Sequence, residues 1–200
     1  DLDIALEYAL NGVFFHAGQI CSAGTRLLLE EPIHDRFVDK LKARMARIRL
    51  GDGMQESTQM GPLISANHLA KVEEYVAVAE AEGARLELGG RRPEAAELRA
   101  GFFFEPTLFT NCHGTMRIVQ EEVFGPVITV EKFSTEEEAV SLANNTIYGL
   151  AAGFWTSDGD RIHRITQQLR FGTVWINDFN VYFTQAPWGG YKQSGLGREL

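Results

Sequence analysis

The chain has 200 residues, 44% of them hydrophobic and 13 of them Phe, which is enough for one domain with a sizeable core. Its formal net charge of −8, with no long run of Lys or Arg, argues against nucleic acid or an anionic membrane as a partner, because both attract basic surfaces. No apolar run reaches the roughly 18 residues of a membrane span, and two cysteines without CxxC spacing predict neither a disulfide framework nor a metal site, which suits the cytoplasm.

The first half of the chain alternates helical and strand patterns. Residues 3–16 carry a helical pattern of apolar residues that Gly18 ends, and this helix leads directly to Cys21. The other elements predicted here are a buried strand at 26–29, a helix at 32–49 that begins with Pro32, a helix capped by Ser65 that ends at Gly83, and a strand at 84–88.

The second half continues the alternation. Its predicted elements are a strand at 126–130, a helix at 134–144 with a capping box of Ser134 and Glu137, a strand at 151–155, a helix carrying Ile162, Ile165 and Leu169, and a strand at 173–176. This rhythm predicts an α/β fold with a mostly parallel sheet flanked by helices. The last 20 residues are Gly-rich and aromatic without helical or strand period, which is typical of a segment that carries a site.

Cys21 lies between Gly18 and Gly24, where the first helical pattern has just ended. A cysteine inside an apolar helix is usually an inert small hydrophobe, whereas one on a Gly-flanked turn can meet a substrate carbon and backbone N–H donors. Position alone leaves both interpretations open, a nucleophile or an inert buried thiol.

Three blocks of sequence resemble a known family. They are residues 18–26, Gly-Gln-Ile-Cys-Ser-Ala-Gly-Thr-Arg; residues 120–127, Gln-Glu-Glu-Val-Phe-Gly-Pro-Val; and residues 187–200, Pro-Trp-Gly-Gly-Tyr-Lys-Gln-Ser-Gly-Leu-Gly-Arg-Glu-Leu. In the same order, they resemble the active-site cysteine segment and the next two signature blocks of the NAD(P)-dependent aldehyde dehydrogenases. The resemblance covers essentially the whole chain and implies the α/β fold of that family's catalytic domain.

The same resemblance implies that residues 1–200 form only the catalytic domain of a longer enzyme. In the family, the cofactor-binding domain, a general-base Glu and an oxyanion Asn precede the catalytic cysteine, and an oligomerisation strand follows the third block. All four are therefore expected outside this chain, which by itself is expected to be inactive or impaired. The parent enzyme is expected to be a homodimer or homotetramer.

The resemblance also assigns chemistry to individual residues. Cys21 matches the nucleophile, whose thiolate adds to an aldehyde carbon, so that the thiohemiacetal can lose hydride to a nicotinamide and leave a thioester for hydrolysis. Glu122 matches the carboxylate that accepts hydrogen bonds from the nicotinamide-ribose hydroxyls, and Phe124 matches the ring beside the nicotinamide. The cofactor implied is NAD or NADP, bound mainly by the domain outside this chain. Without the resemblance, Glu122 and Phe124 would be interpreted as a surface acid and a core ring.

Three aromatic residues match the wall of the family's substrate funnel: Phe15, Tyr182 and Trp188. Together with the sequence Gln-Ala-Pro-Trp-Gly-Gly at 185–190, they look most like the betaine-aldehyde and aminoaldehyde branch. Aromatic faces attract a quaternary ammonium group through the ring quadrupole, so a small cationic aldehyde is the substrate implied. Packing in the core is the competing interpretation for each ring.

Two other functions stay open. An acylating or semialdehyde dehydrogenase of the same fold would carry the same blocks, and a truncated non-catalytic structural module would keep the fold without the chemistry. Three look-alike features are set aside. Glu87 opens a Glu-Leu-Gly-Gly sequence that imitates the family's general-base block but follows the nucleophile, so it is predicted to be structural. The family uses no histidine at His16, and Cys112-His113 is an isolated pair without the other ligands that a zinc site needs.

Overall fold

The computed structural model describes residues 1–199, which form an α/β fold. The α-helices are α1 (Leu2–Phe14), α2 (Glu31–Met45), α3 (Ala66–Ala81), α4 (Arg117–Gln120), α5 (Glu136–Asn144) and α6 (Gly159–Gln168). The strands are β1 (Arg26–Glu30), β2 (Arg85–Leu88), β3 (Thr107–Thr110), β4 (Val127–Phe133), β5 (Tyr148–Gly149), β6 (Ala151–Phe154), β7 (Thr173–Ile176) and β8 (Tyr191–Lys192). A short 3₁₀ helix lies at Ala96–Leu98, and Phe15–Gly18 form a turn in which His16 and Ala17 have positive φ. Over residues 1–199, no helix has the length and apolar character needed to cross a lipid bilayer.

The main sheet has four strands in the order β1, β4, β3, β2. β1, β4 and β3 run parallel, with Arg26 opposite Thr129 and Thr107 opposite Val127, whereas β2 joins β3 antiparallel. β6 and β7 form a second parallel pair, and β5 and β8 form a short antiparallel pair. The predicted α/β fold with a mostly parallel sheet flanked by helices is therefore confirmed. The short β8 lies within the tail for which no strand was predicted.

The helix starts follow from local capping. Ser65 accepts a hydrogen bond from the His68 N–H and caps α3, as predicted. The predicted capping box at Ser134 and Glu137 is wrong by one residue. Thr135 is the N-cap of α5 and accepts from the Glu138 N–H, while the Glu138 carboxylate accepts from the Ser134 N–H. Two adjacent hydroxyl residues compete for this role, and the pattern could not choose between them.

The predicted extension of the second helix to residue 49 is also wrong, because α2 ends at Met45. The carbonyl of Arg49 accepts hydrogen bonds from the N–H groups of Gln59 at 2.8 Å and Met60 at 3.1 Å. The chain leaves the helix to make this non-local pairing, which the helical apolar pattern of residues 37–48 does not reveal.

The core is centred on β3 and β4. Leu108, Phe109 and Ile128 are completely buried. Apolar side chains from α1, α2 and α3 pack onto them, including Val13, Leu41, Val72 and Ala79. β4 is buried along most of its length, as expected for a parallel strand covered on both faces.

β1 and β6 each keep one unpaired edge within residues 1–199, since β1 pairs with β4 and β6 pairs with β7. Both strands line a cavity of about 700 Å³. Its walls also include Val140 of α5, Ile165 of α6, and Leu169, which follows α6. The residues that follow α1 lie at this cavity and include Cys21.

Candidate active site

The backbone between α1 and β1 turns sharply before Cys21. His16, Ala17 and Gly18 have φ values of 50°, 56° and 74°, so three consecutive residues adopt the left-handed conformation. This conformation is unfavourable for residues other than Gly, and runs of it occur where surrounding structure imposes them. The turn ends the helix and leaves Cys21 exposed with a free thiol.

The turn is pressed against residues 121–125, which precede β4. A Cβ atom on Gly18 would lie 2.0 Å from the Gly125 carbonyl oxygen, so only Gly fits there. The Cys21 turn and the segment with Glu122 and Phe124 are thereby fixed against each other. Among residues 1–199, the Cys21 backbone N–H makes no hydrogen bond. It is free to donate to an oxyanion that forms on a bound carbonyl.

α3 holds the segment that contains Glu122 and Phe124. The Phe124 carbonyl accepts a hydrogen bond from His68 Nε2 at 2.6 Å, and the Glu122 carbonyl accepts from Lys71 Nζ at 2.9 Å. Phe124 has φ of 58°, an unusual conformation for a bulky residue, and the bond from His68 stabilises it. The Glu122 side chain is exposed, and its carboxylate accepts no hydrogen bond from the described residues.

Glu121 faces different partners from its neighbour Glu122. Arg117 donates two hydrogen bonds to its carboxylate, at 3.0 and 2.9 Å, and Tyr75 donates one at 2.8 Å. The Arg117 guanidinium holds the pKa of Glu121 below its usual range. Burial, followed by the hydrogen bond to Glu121, raises the pKa of Tyr75 to about 12. Glu121 is thus occupied within the protein, and Glu122 is the carboxylate left free for a ligand.

Ser22, the residue after Cys21, is buried and bonded to the C-terminal tail. Its hydroxyl lies 2.8 Å from Asn180 Oδ1 and 2.5 Å from the Tyr182 phenol oxygen. Burial raises the pKa of Tyr182, the hydrogen bond with Ser22 lowers it, and a charge on Cys21 would raise it again. Burial is the largest of these effects, so the pKa of Tyr182 is raised and its side chain is a neutral phenol at physiological pH.

Tyr182 and Trp188 belong to one aromatic cluster. Their ring centroids are 4.8 Å apart in an edge-to-face arrangement. Trp175, on β7, lies behind them at 5.7 Å from Tyr182 and 6.0 Å from Trp188, and its Nε1–H donates to the Val181 carbonyl at 2.9 Å. The structure thus brings together two of the three predicted substrate residues.

Phe15 is not part of this cluster within residues 1–199. Its side chain is 59% exposed, and its ring packs on that of His16 at 4.3 Å. Exposure excludes core packing as the reason for this Phe. Because it precedes the left-handed turn, it remains on the same loop as Cys21.

The cavity of about 700 Å³ is lined by Cys21, Ser22, Glu122 and Phe124, among others. Tyr182 reaches the same place from the other side through its bond to Ser22. Cys21 therefore lies where the cavity meets the aromatic cluster. A free carboxylate beside an aromatic ring is a suitable pair for the hydroxyls and flat ring of a nicotinamide ribonucleoside, so these residues fit the implied cofactor.

Glu87, Cys112 and His16 are the residues that imitate functional motifs in the sequence. The Glu87 carboxylate is buried and accepts hydrogen bonds from Lys42 and Thr110, in agreement with a structural role. Cys112 is half-buried and has a pKa raised by burial to about 12. Among the residues that the structure describes, His16 makes no hydrogen bond to Cys21, and no three His, Cys, Asp or Glu side chains are placed to hold a metal ion.

Sequence reasoning missed His68, Lys71, Ser22 and Trp175. His68 and Lys71 are one turn apart on α3 and therefore share a face. The apolar stripe of that helix predicts its buried face but does not indicate that this polar face holds residues 121–125. Ser22 is adjacent to the nucleophile, but its partners lie 158 and 160 residues away along the chain. Nothing local in the sequence predicts such a contact.

The model of the Aldehyde dehydrogenase family matches residues 1–200. The chain belongs to the aldehyde dehydrogenase family. Betaine aldehyde dehydrogenase of Bacillus subtilis (strain 168) is 63% identical over 200 residues, and that of Mesorhizobium japonicum is 47% identical over 199 residues. Each alignment covers 100% of this chain and 41% of the relative, so the chain spans about two fifths of the length of these family members.

Solved structures of this family have the same fold as this chain. Betaine aldehyde dehydrogenase from Staphylococcus aureus in complex with NAD+ is 56% identical, with a TM-score of 0.98 over 100% of this chain and 40% of that one. A point mutant of the same enzyme, in complex with NAD+ and with a BME-modified cysteine, also gives 0.98 at 56% identity and covers 100% of this chain and 41% of that one.

Proposed function

We propose that the protein containing this chain oxidises an aldehyde to a carboxylic acid with NAD or NADP, and that residues 1–200 are its catalytic domain. The observation that carries the proposal is the position of Cys21, a free exposed thiol at the junction of the cavity and the aromatic cluster. The 63% identity to a betaine aldehyde dehydrogenase supports the reaction class. The remainder of the cofactor site and the general base are proposed to lie outside this chain.

In this proposal Cys21 is the nucleophile. Its thiolate sulfur forms a bond to the aldehyde carbon, and the carbonyl electron pair moves to the oxygen, where the Cys21 backbone N–H stabilises the charge. After hydride loss the product is a thioester on Cys21. Water then attacks that thioester, the sulfur leaves as a thiolate, and the carboxylic acid is released.

Glu122 and Phe124 are proposed to hold the nicotinamide end of the cofactor. When bound, NAD or NADP supplies the hydride acceptor. The free Glu122 carboxylate would accept hydrogen bonds from ribose hydroxyls, and the Phe124 ring would pack beside the nicotinamide. NAD is favoured because the solved relative from Staphylococcus aureus binds NAD+.

The proposed substrate is betaine aldehyde or a related aminoaldehyde. Residues 15–25, which carry Cys21, are called the nucleophile loop. Tyr182 and Trp188 present adjacent aromatic rings beside this loop, and Phe15 presents an exposed ring on it. Aromatic rings attract a desolvated ammonium group by about 2 kcal/mol or more. Because Tyr182 is neutral, its attraction for the ammonium group would come from the ring. We also propose a homodimeric or homotetrameric protein of the cytoplasm, in keeping with the two free cysteines of this chain.

The test is aldehyde-dependent NADH formation by the whole protein, its Cys21→Ala variant and a Cys112→Ala control. Betaine aldehyde is compared with an uncharged aliphatic aldehyde. We expect activity in the wild type and in Cys112→Ala, none in Cys21→Ala, and a strong preference for betaine aldehyde.

Each outcome bears on a different part of the proposal. Activity that survives in Cys21→Ala would remove Cys21 as the nucleophile. Equal activity on the two aldehydes would keep the dehydrogenase but discard the ammonium site. NADH formation that requires coenzyme A would point to an acylating enzyme instead.

A further inference from the structure

The buried Ser22 hydroxyl belongs to a cluster of three hydrogen-bonded side chains. Ser22 donates to Asn180 Oδ1 at 2.8 Å, and its oxygen lies 2.5 Å from the Tyr182 phenol oxygen. Tyr182 also donates to Asn180 Oδ1, at 3.3 Å. The residue next to Cys21 is thereby bonded directly to a ring of the aromatic cluster.

Phe179 fixes the same loop at a second point. Its ring fits a slot in which a Cβ atom on Gly12, Gly24 or Gly153 would lie 2.9, 3.1 or 2.6 Å from it. Gly24 follows Cys21 by three residues and donates its N–H to the Gly12 carbonyl at 3.0 Å. The slot thus ties α1, the nucleophile loop and β6 to one side chain.

Trp175 contacts the segment 179–182 at three points. Its ring packs on Phe179 at 4.9 Å and on Tyr182 at 5.7 Å, and its Nε1–H holds the Val181 carbonyl. Trp175 is buried, whereas Tyr182 and Val181 are exposed. The segment therefore links a fixed interior side chain to the two contacts on the nucleophile loop.

We propose that residues 179–182 orient the Cys21 thiol, and that Ser22 is the positioning residue through which the aromatic cluster and the nucleophile are coupled. A ligand that moves the Tyr182 phenol changes the bond to Ser22 and, through it, the orientation of the adjacent Cys21. The coupling deepens the proposed function, because a substrate headgroup at the aromatic rings then helps to align the thiol. The orientation of the Cys21 thiol can be measured in the absence of both aldehyde and cofactor.

The primary test is the rate of Cys21 alkylation by iodoacetamide, measured against pH in the whole protein. Alkylation is followed by mass spectrometry of the peptide that contains Cys21, so that other cysteines of the whole protein do not enter the signal; among them is Cys112, whose pKa burial raises to about 12. The variants are Ser22→Ala, Tyr182→Phe and the double variant. The control is Ser134→Ala, which removes a hydroxyl that bonds the exposed Glu31.

We expect each single variant to lower the limiting alkylation rate about fivefold, the effect of losing one hydrogen bond. The double variant should be no slower than either single variant, because both remove the same link. Asn180→Gly removes the other side chain bonded to Ser22 and suits the positive φ of 59° at this position, so it should give the same fivefold loss, which provides a second route if Ser22→Ala fails to fold. Single-variant rates within 1.5-fold of wild type, or a double variant slowed about 25-fold, would overturn the proposal.

A second readout separates positioning from general stability. With betaine aldehyde, Ser22→Ala should lower kcat about fivefold while KM stays within twofold, since the aromatic rings remain. A raised KM with unchanged kcat would contradict the proposal. If the protein forms no NADH at all, the proposed function fails, and the alkylation pattern still decides whether Ser22 orients Cys21.

Discussion

Gly18→Ala tests how the nucleophile loop is held. The new Cβ would lie 2.0 Å from the Gly125 carbonyl oxygen, whereas real Cβ atoms stay beyond 3.0 Å, so the two segments must separate by about 1 Å. That moves Cys21 away from Glu122 and Phe124, and a displacement of about 1 Å can lower the rate about 100-fold. The φ of +74° adds a backbone cost of about 1–2 kcal/mol for a residue other than Gly.

Two other glycines provide matched controls. Gly83 has φ of +95° and no atom within 4 Å of an added Cβ, so Gly83→Ala carries only the backbone cost. Gly53 is also open and lacks a positive φ, so Gly53→Ala should be neutral. Urea unfolding gives the free energy of unfolding, and NADH formation by the whole protein gives kcat/KM. A folded Gly18→Ala variant with kcat/KM within threefold of wild type would refute the idea that this contact sets the position of Cys21.

Two further predictions concern α3 and β2. Lys71→Met keeps the length of the side chain but removes the donor to the Glu122 carbonyl. NAD affinity, measured by fluorescence titration, should fall about fivefold, which is the effect of one exposed charged hydrogen bond. An unchanged Kd would show that Lys71 does not position Glu122 for the cofactor. Glu87→Gln addresses a pKa that burial alone would raise but that hydrogen bonds from Lys42, Thr110 and Arg85 lower from 4.5 to about 2. Because the pKa of Glu87 is lower in the folded than in the unfolded protein, its ionised carboxylate stabilises the folded state above pH about 4.5, and this stabilisation is lost as the pH falls toward 2. The variant should therefore have a free energy of unfolding lower by about 2–3 kcal/mol at pH 7. Urea unfolding should show the difference narrowing as pH falls below 4.5, and a difference independent of pH would count against the ion pair.

Local chemistry made much of the fold predictable. α3 begins after Ser65 because the Ser65 hydroxyl accepts a hydrogen bond from an N–H of the first helical turn, and an N-cap residue of this kind can be identified from the sequence. The capping box at Ser134 and Glu137 was displaced by one residue, to Thr135 and Glu138, because Thr135 is also a hydroxyl residue and Glu138 is also a Glu. The end of α2 depended on pairing with residues ten positions ahead. Errors therefore arose where two equivalent local patterns were adjacent or where a distant contact competed with a local preference.

The site divides in the same way. Cys21, Glu122 and Phe124 lie in motifs whose residues are adjacent in sequence, and the structure brings all three to one cavity. Their roles remain predictions until the variants are measured. Ser22 and Trp175 were not predicted because their importance lies in contacts made across the fold. Phe15 was predicted as a substrate residue from its match to the family, and the sequence could not tell that its ring lies outside the Tyr182 and Trp188 cluster.

The unpaired edges of β1 and β6 have a practical consequence for handling this protein. A free edge presents a row of backbone donors and acceptors that can recruit a strand from another molecule. Residues 1–200 expressed by themselves would present two such edges beside an apolar cavity, and self-association by strand addition becomes the expected route to aggregates. Light scattering at increasing concentration should therefore accompany any activity assay of the isolated chain, so that an inactive sample is not mistaken for an inactive site.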